Sequence, residues 1–299
     1  MSLYEHIVFR GDQYAYTKRG SRFPYVDHAA EASATGVHIW FWGEPFRAVS
    51  DSFFAHCQER GIDIHLGIGV GAYGVCDGED PTEPAVQQRI TDHVSRVIDT
   101  FPIAGIEFQN GEYDRIQFRG ASALGKTRAR QVIEQLNPVI EHALRLKPDL
   151  WIRTELNADF FPGAEVVEIA QHLDPRCTVE WSRFTGPFRG PDALERGREL
   201  LLGSERFSWF LKIVYNRDQH WHEIAVDTSA GEMRKWIEHW RGWVKLLRDH
   251  QRTTLTICNV EPAYVDQALP MPAAAVALAK DPEMPTEEVL RLFSFRQCS

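Results

Sequence analysis

The chain has 299 residues, of which 43% are hydrophobic and 25% charged, and its formal net charge is −9. This is globular composition, with a chain long enough to bury roughly three quarters of its unfolded surface. The acidic balance argues against a general binder of nucleic acid or anionic membrane, since either would need a basic face.

The five cysteines, Cys57, Cys76, Cys177, Cys258 and Cys298, are scattered and include no CxxC. That pattern fits the reduced thiols of a cytoplasmic protein better than a disulfide framework or a thiolate metal site. The opening MSLYEHIVFRGDQY has no apolar h-region. No apolar run approaches the roughly twenty residues of a membrane span. No membrane partner and no cofactor are expected.

In chain order, strands are predicted at 6–10, 37–42, 62–68, 103–108, 150–155, 177–182, 208–214 and 253–259. Helices are predicted between them. The first crossover, near Val26 to Ala34, carries the weakest helical pattern. Residues 45–60 end before Gly61, as a helix should. Residues 83–101, 121–146, 162–173, 191–202 and 229–249 show apolar spacing near 3.6, and the tail adds 273–280 and 286–293. Trp236, Trp240 and Trp243 fall on one helical stretch and are expected to form a packed face. GIGVGAYG, residues 67–74, lacks the GxGxxG register and follows the third strand rather than the first. It is expected to be a loop, not a nucleotide cradle.

About eight βα units without a linker or composition break predict one α/β domain over residues 1–299, a closed (β/α)8 TIM barrel. An open doubly wound sheet is the alternative. In barrel enzymes the active site lies at the C-terminal strand ends. There the chain places His65 on the third strand and Glu107 and Gln109 on the fourth, with Glu112 just beyond. Arg153 and Glu155 lie on the fifth, Glu180 and Ser182 on the sixth, and Lys212 on the seventh.

Side chains alternate along a strand with a period of two. The helix-facing side of a barrel strand is dry and rarely tolerates charge. Glu107, Arg153, Glu155, Glu180 and Lys212 are therefore expected to point inward. A carboxyl beside Arg or Lys and a carboxyl in an apolar setting acquire different pKa values. Such a pair can supply an acid and a base or nucleophile, which is what glycosidic bond cleavage needs. The break at Gln109–Gly111 would lift Glu112 to the rim, within reach of a leaving-group oxygen. Glu180 and Glu155 are candidates for the second carboxyl.

The GEYDR stretch (111–115) and VEWSRFTGPF (179–188) resemble the catalytic barrels of glycoside hydrolases of the α-glucuronidase and hexosaminidase-like kind. The resemblance implies Glu112 as general acid and Glu180 in a base or water-positioning role. The chain departs from the large retaining clan of barrel glycosidases in carrying Lys212 where that clan keeps a strand-seven nucleophile. Within these 299 residues no counterpart is expected of the accessory N-terminal domain common in the α-glucuronidase group. In such a pocket Trp42 and Trp181 would stack on sugar. Arg153 and Lys212 would pair with a substrate carboxylate, and Tyr215 and Asn216 would bond hydroxyls, with Glu107 alongside. The expected partner is a carbohydrate or uronic-acid-containing small molecule.

Three rival readings use the same residues. A metal-dependent isomerase or epimerase would set Glu155 and Glu180 with His65 or His220 around a cation. An aldol-type enzyme would use Lys212 as a Schiff base. A non-catalytic carbohydrate-binding barrel would need only the aromatics.

Overall fold

The computed structural model describes residues 6–11, 23–40, 50–69, 79–80, 82–109, 125–157, 163–182, 207–212, 230–251, 254–258 and 270–294. Eight parallel strands close into a barrel in sequence order. They are β1 (His6–Gly11), β2 (Gly36–Trp40), β3 (Asp63–Gly69), β4 (Gly105–Gln109), β5 (Trp151–Asn157), β6 (Cys177–Ser182), β7 (Phe207–Lys212) and β8 (Thr254–Cys258). Closure is made by β1 on β8, with His6 opposite Thr254 and Arg10 opposite Cys258.

Eight helices fall among the described residues. They are α1 (Pro24–Glu31), α2 (Asp51–Arg60), α3 (Pro84–Thr100), α4 (Arg128–Leu146), α5 (Gly163–His172), α6 (Ala230–Asp249), α7 (Pro270–Lys280) and α8 (Thr286–Ser294). The helix expected at 191–202 lies outside the described residues. Seven of the eight strands are thus each followed by a described helix.

Local chemistry sets the boundaries. Pro84 opens α3, where its missing N–H costs nothing. Gly61 ends α2 at φ 64°, a left-handed conformation that glycine adopts freely. The helix expected from residue 121 starts at Arg128, because the Thr127 hydroxyl accepts the Arg130 N–H at 3.1 Å and caps the first turn. The first helix begins at Pro24, earlier than the apolar spacing suggested. The Tyr25 hydroxyl on that helix donates to the Phe9 carbonyl and ties it to β1. At the opposite end of β1, Thr35 clips the strand. Its Oγ1 accepts from Ile7 N at 2.8 Å and donates to Ile7 O at 3.1 Å.

The apolar core lies between the outer face of the sheet and the helices. Ile7, Phe9, Ile39, Leu66, Phe108 and Ile257 belong to it, as do Phe53, Leu136 and Trp240 from the helices. On α6, Trp240 and Trp243 are buried, as their helical spacing predicted, and the side chain of Trp236 lies outside the described set.

Alternation along the strands sends a different set into the barrel. Its interior holds His38, His65, Glu107, Arg153, Glu155, Glu180 and Thr256, all buried. A barrel interior is ordinarily filled by branched aliphatic side chains. Here it is largely polar and charged, at the level of the lower and middle strand residues.

β3 runs through Gly69, so the start of the GIGVGAYG segment belongs to the strand rather than to a loop. Gly67 and Gly69 stand in register with Glu107 and Gln109. Glycine there leaves the space beside Glu107 unfilled by β3.

Two more glycines make room for His65. A Cβ on Gly36 would lie 2.9 Å from His65 Nε2. A Cβ on Gly105 would collide with the His65 ring and lie 2.7 Å from the Trp151 carbonyl oxygen. The ring can turn aside, but the Trp151 backbone belongs to a strand in the closed barrel and cannot retreat cheaply. Gly105→Ala is expected to destabilise the fold by about 1–3 kcal/mol, as overpacking does. Urea denaturation measures this, and an unchanged midpoint would contradict the tight packing.

Candidate active site in the barrel interior

The described site is built on β2, β4, β5, β6 and β8. Glu107 and Arg153 are register partners on β4 and β5, and Glu155 and Glu180 are register partners on β5 and β6. Four inward positions expected from alternation, Glu107, Arg153, Glu155 and Glu180, are therefore brought together. Each is no more than 1% exposed.

Arg153 is the hub. Its Nη1 donates to Thr256 Oγ1 at 2.7 Å across the barrel. The same nitrogen lies 3.3 and 3.4 Å from the two oxygens of Glu180, and 3.5 Å from Glu107 Oε2. The Thr256 hydroxyl donates to Glu180 Oε1 at 2.5 Å. Arginine has no acceptor, so the direction of this chain is fixed. Arg153 donates to Thr256, and the threonine proton goes to Glu180. On the other side, His38 Nδ1 lies 3.4 Å from Glu107 Oε2. β3 lies between β2 and β4 and presents Gly67 at the level of Glu107, so β3 places no side chain there.

Beneath the ion pairs lies an aromatic floor. The Arg153 guanidinium carbon sits 4.4 Å from the centroid of the Trp151 ring. His6 stacks on the same indole at 4.4 Å, and the edge of His65 meets it at 5.3 Å. The indole N–H donates to Thr178 Oγ1 at 3.1 Å. A desolvated guanidinium over tryptophan gains on the order of 2 kcal/mol.

His65 lies low in the barrel, the third residue of β3, rather than at the strand end where it was expected. It is fully buried, and burial first, then the charges of Arg153 and His6, hold its pKa well below 6.5. It therefore stays neutral, suited to filling space.

The remaining predicted site residues fall elsewhere. Lys212 ends β7, two residues beyond Phe210, which is in register with Thr256. Its strand position thus shares the face of Thr256. Trp181 is in register with Leu156 and Trp209, on the face opposite that of Glu180. Glu112, Trp42, Tyr215, Asn216 and His220 lie outside the described residues. Thr256 and His38 were missed by the sequence reading, although the same period of two on β8 and β2 points to both. Among the described residues no group of three His, Cys, Asp or Glu is arranged to hold a metal ion. No described helix is long and apolar enough to cross a membrane. Cys57 and Cys177 are buried free thiols, and burial pushes the Cys57 thiol up to about 12.

A closed parallel strand barrel wrapped by helices, with charged side chains on the inner face of β4 to β6, defines the class as TIM-barrel-like. No family model matches the sequence, and comparison with curated proteins finds no relative. Solved structures do match. The chain is similar to the GH36 α-galactosidase AgaA from Geobacillus stearothermophilus, with TM-score 0.58 and 11% identity, over 93% of this chain and 42% of that one. It is similar to PbGH5A, a glycoside hydrolase family 5 enzyme from Prevotella bryantii, with TM-score 0.57 and 9% identity, over 92% and 96% of the two chains. It is also similar to the spore cortex-lytic enzyme SleL from Bacillus megaterium, with TM-score 0.56 and 8% identity, over 84% and 70%. The chain spans less than half the length of the galactosidase. At such identities the likeness establishes the fold.

Two outcomes follow from the buried charges. Arg153→Met leaves Glu107 and Glu180 without their shared cation and is expected to cost about 3–5 kcal/mol. Combining it with Glu180→Gln should recover part of that loss, and strictly additive effects in the double-mutant cycle would contradict the coupling. The second outcome concerns His65. Below about pH 6.5 the unfolded chain protonates this residue and the folded chain does not. The unfolded state then binds more protons, so stability falls as pH drops below 6.5. The contribution approaches about 1.4 kcal/mol per pH unit. Urea denaturation from pH 7 to 5 should show a slope shallower by about one proton in His65→Gln than in the unchanged protein.

Proposed function

We propose that this chain is a carbohydrate-active hydrolase that cleaves a glycosidic bond at the C-terminal mouth of a (β/α)8 barrel. The observation that carries the proposal is the carboxylate pair Glu155 and Glu180. They stand in register on adjacent strands, on the inner face, with Glu180 held by Arg153 and Thr256. Similarity to solved glycoside hydrolases of several kinds supports the same class.

Glu180 is assigned the base, nucleophile or water-positioning role, and Glu112 the general acid, five residues beyond Glu107 on the chain. Glu155 lies two residues further toward the mouth than Arg153 and is the second candidate for the acid. The substrate is a carbohydrate. A uronic acid would pair with Lys212, whose strand position shares the face of Thr256, since the Nη1 of Arg153 is already engaged. The α-glucuronidase or hexosaminidase-like character belongs to this finer part of the proposal.

A panel of aryl glycosides and glycuronides, assayed with and without EDTA, tests the reading. EDTA-insensitive aglycone release is expected. Glu112→Gln should lower turnover on poor leaving groups by at least about tenfold, since a general acid contributes roughly 10²–10⁴. Its effect should be far smaller on dinitrophenyl glycosides, whose leaving group needs no proton. Unchanged turnover in Glu112→Gln, Glu155→Gln and Glu180→Gln alike would remove the paired-carboxylate mechanism. Activity lost in EDTA and restored by a divalent cation would favour a metal-dependent isomerase or epimerase.

A further inference from the structure

Glu180 is held asymmetrically. Its Oε1 accepts the Thr256 hydroxyl at 2.5 Å and lies 3.3 Å from Arg153 Nη1. Among the described residues its Oε2 has only the longer 3.4 Å approach of the same nitrogen. Arg153 is wholly buried, sits over Trp151 and spends its shortest bond, 2.7 Å, on Thr256 rather than on either carboxylate. A guanidinium placed only to neutralise Glu180 would meet it fork to fork. Here one nitrogen acts largely through an intervening hydroxyl, so a residue on β8 controls a carboxylate on β6 across the barrel.

We propose that Thr256 and Arg153 are positioning residues that lock Glu180 Oε1 and leave Oε2 as the reacting oxygen. This assignment rests on Glu180 being a reacting carboxylate, as proposed above. Thr256 is the specific element, because it gives Glu180 its shortest bond and donates a proton whose direction Arg153 enforces. The other charged groups facing Glu180 are Glu155 from β5 and, beyond Arg153, Glu107 from β4. β7 places Ser208 in register with Glu180 and carries Lys212 further along that face. None of these is altered by a change at Thr256.

Thr256→Val keeps the volume and removes the donor, whereas Thr256→Ser keeps the donor and removes a methyl. With an aryl glycoside that the unchanged protein hydrolyses, Thr256→Val is expected to lower kcat roughly 10- to 100-fold with little change in KM. Thr256→Ser should restore most of the rate. Independently of activity, the ¹³C carboxyl resonance of Glu180, assigned through Glu180→Gln, should move in Thr256→Val, which removes the Thr256 donor, and stay close to its original position in Thr256→Ser.

Equal losses in Val and Ser would mean that Thr256 only packs, and would overturn the inference. So would a Glu180 resonance at the same position in all three proteins. If Thr256→Val does not fold, Thr256→Ala is read by the same criteria. An unchanged protein inactive on every glycoside sinks the hydrolase reading alone, and the position of the carboxyl resonance then decides whether Thr256 governs Glu180.

Discussion

A guanidinium enclosed in the barrel sets the terms for everything around it. Arg153 is removed from water, and a charge in such a place is tolerated only where opposite charge and hydrogen bonds surround it. Glu107, Glu180 and Thr256 supply those partners from three other strands. Its register places it beside Glu107 on β4 and Thr178 on β6, so the partners that stand next to it are fixed by strand pairing rather than by loops. Trp151 beneath it offers a polarisable face where a water layer would otherwise be needed. Buried ion pairs add little to stability compared with well-packed hydrophobic residues. The fold carries this one in addition to its helix–sheet core, and orientation of the carboxylates is the physical advantage such a centre offers.

The two halves of the barrel divide the work. The inner face of β4, β5 and β6 carries Glu107, Arg153, Glu155 and Glu180, while the inner face of β2 and β3 carries His38, His65 and glycines. Large groups from the acidic half are accommodated because β3 contributes little bulk at the level of Glu107. Among the described residues, the side chains of Arg153 and Glu180 bond only to residues on strands. The apolar faces of the helices pack on the outer side of the strands and support the barrel from without.

Much of this was legible from alternation. Charge on a barrel strand has one tolerable direction, so the sequence alone places Glu107, Arg153, Glu155 and Glu180 inward. The described helices of the second half were legible from apolar spacing for a related reason, since a stripe facing the sheet must recur every 3.6 residues. Other features escaped for physical reasons. Thr256 sits in TTLTIC, where threonine is simply a good strand former, and nothing local marks it as the partner of a glutamate 76 positions earlier. His65 looked like a strand-end ligand because its height in the barrel depends on strand stagger, which one strand does not reveal. The start of α4 was set too early because one capping hydroxyl, on Thr127, outweighed an extended helical pattern. Glu112 and the aromatic candidates Trp42 and Tyr215 remain sequence-based assignments, outside the described residues.

The seat of His65 has a historical consequence. Its ring occupies space that a Cβ on Gly36 or Gly105 would claim, and these three positions lie on three successive strands. None can drift alone. A larger residue at 36 or 105 crowds the imidazole, and a smaller residue at 65 opens a void under Arg153. In descendants of this chain the three sites should therefore change as a set or stay as they are, so that the floor of the barrel behaves as one inherited unit although its parts are far apart in the gene.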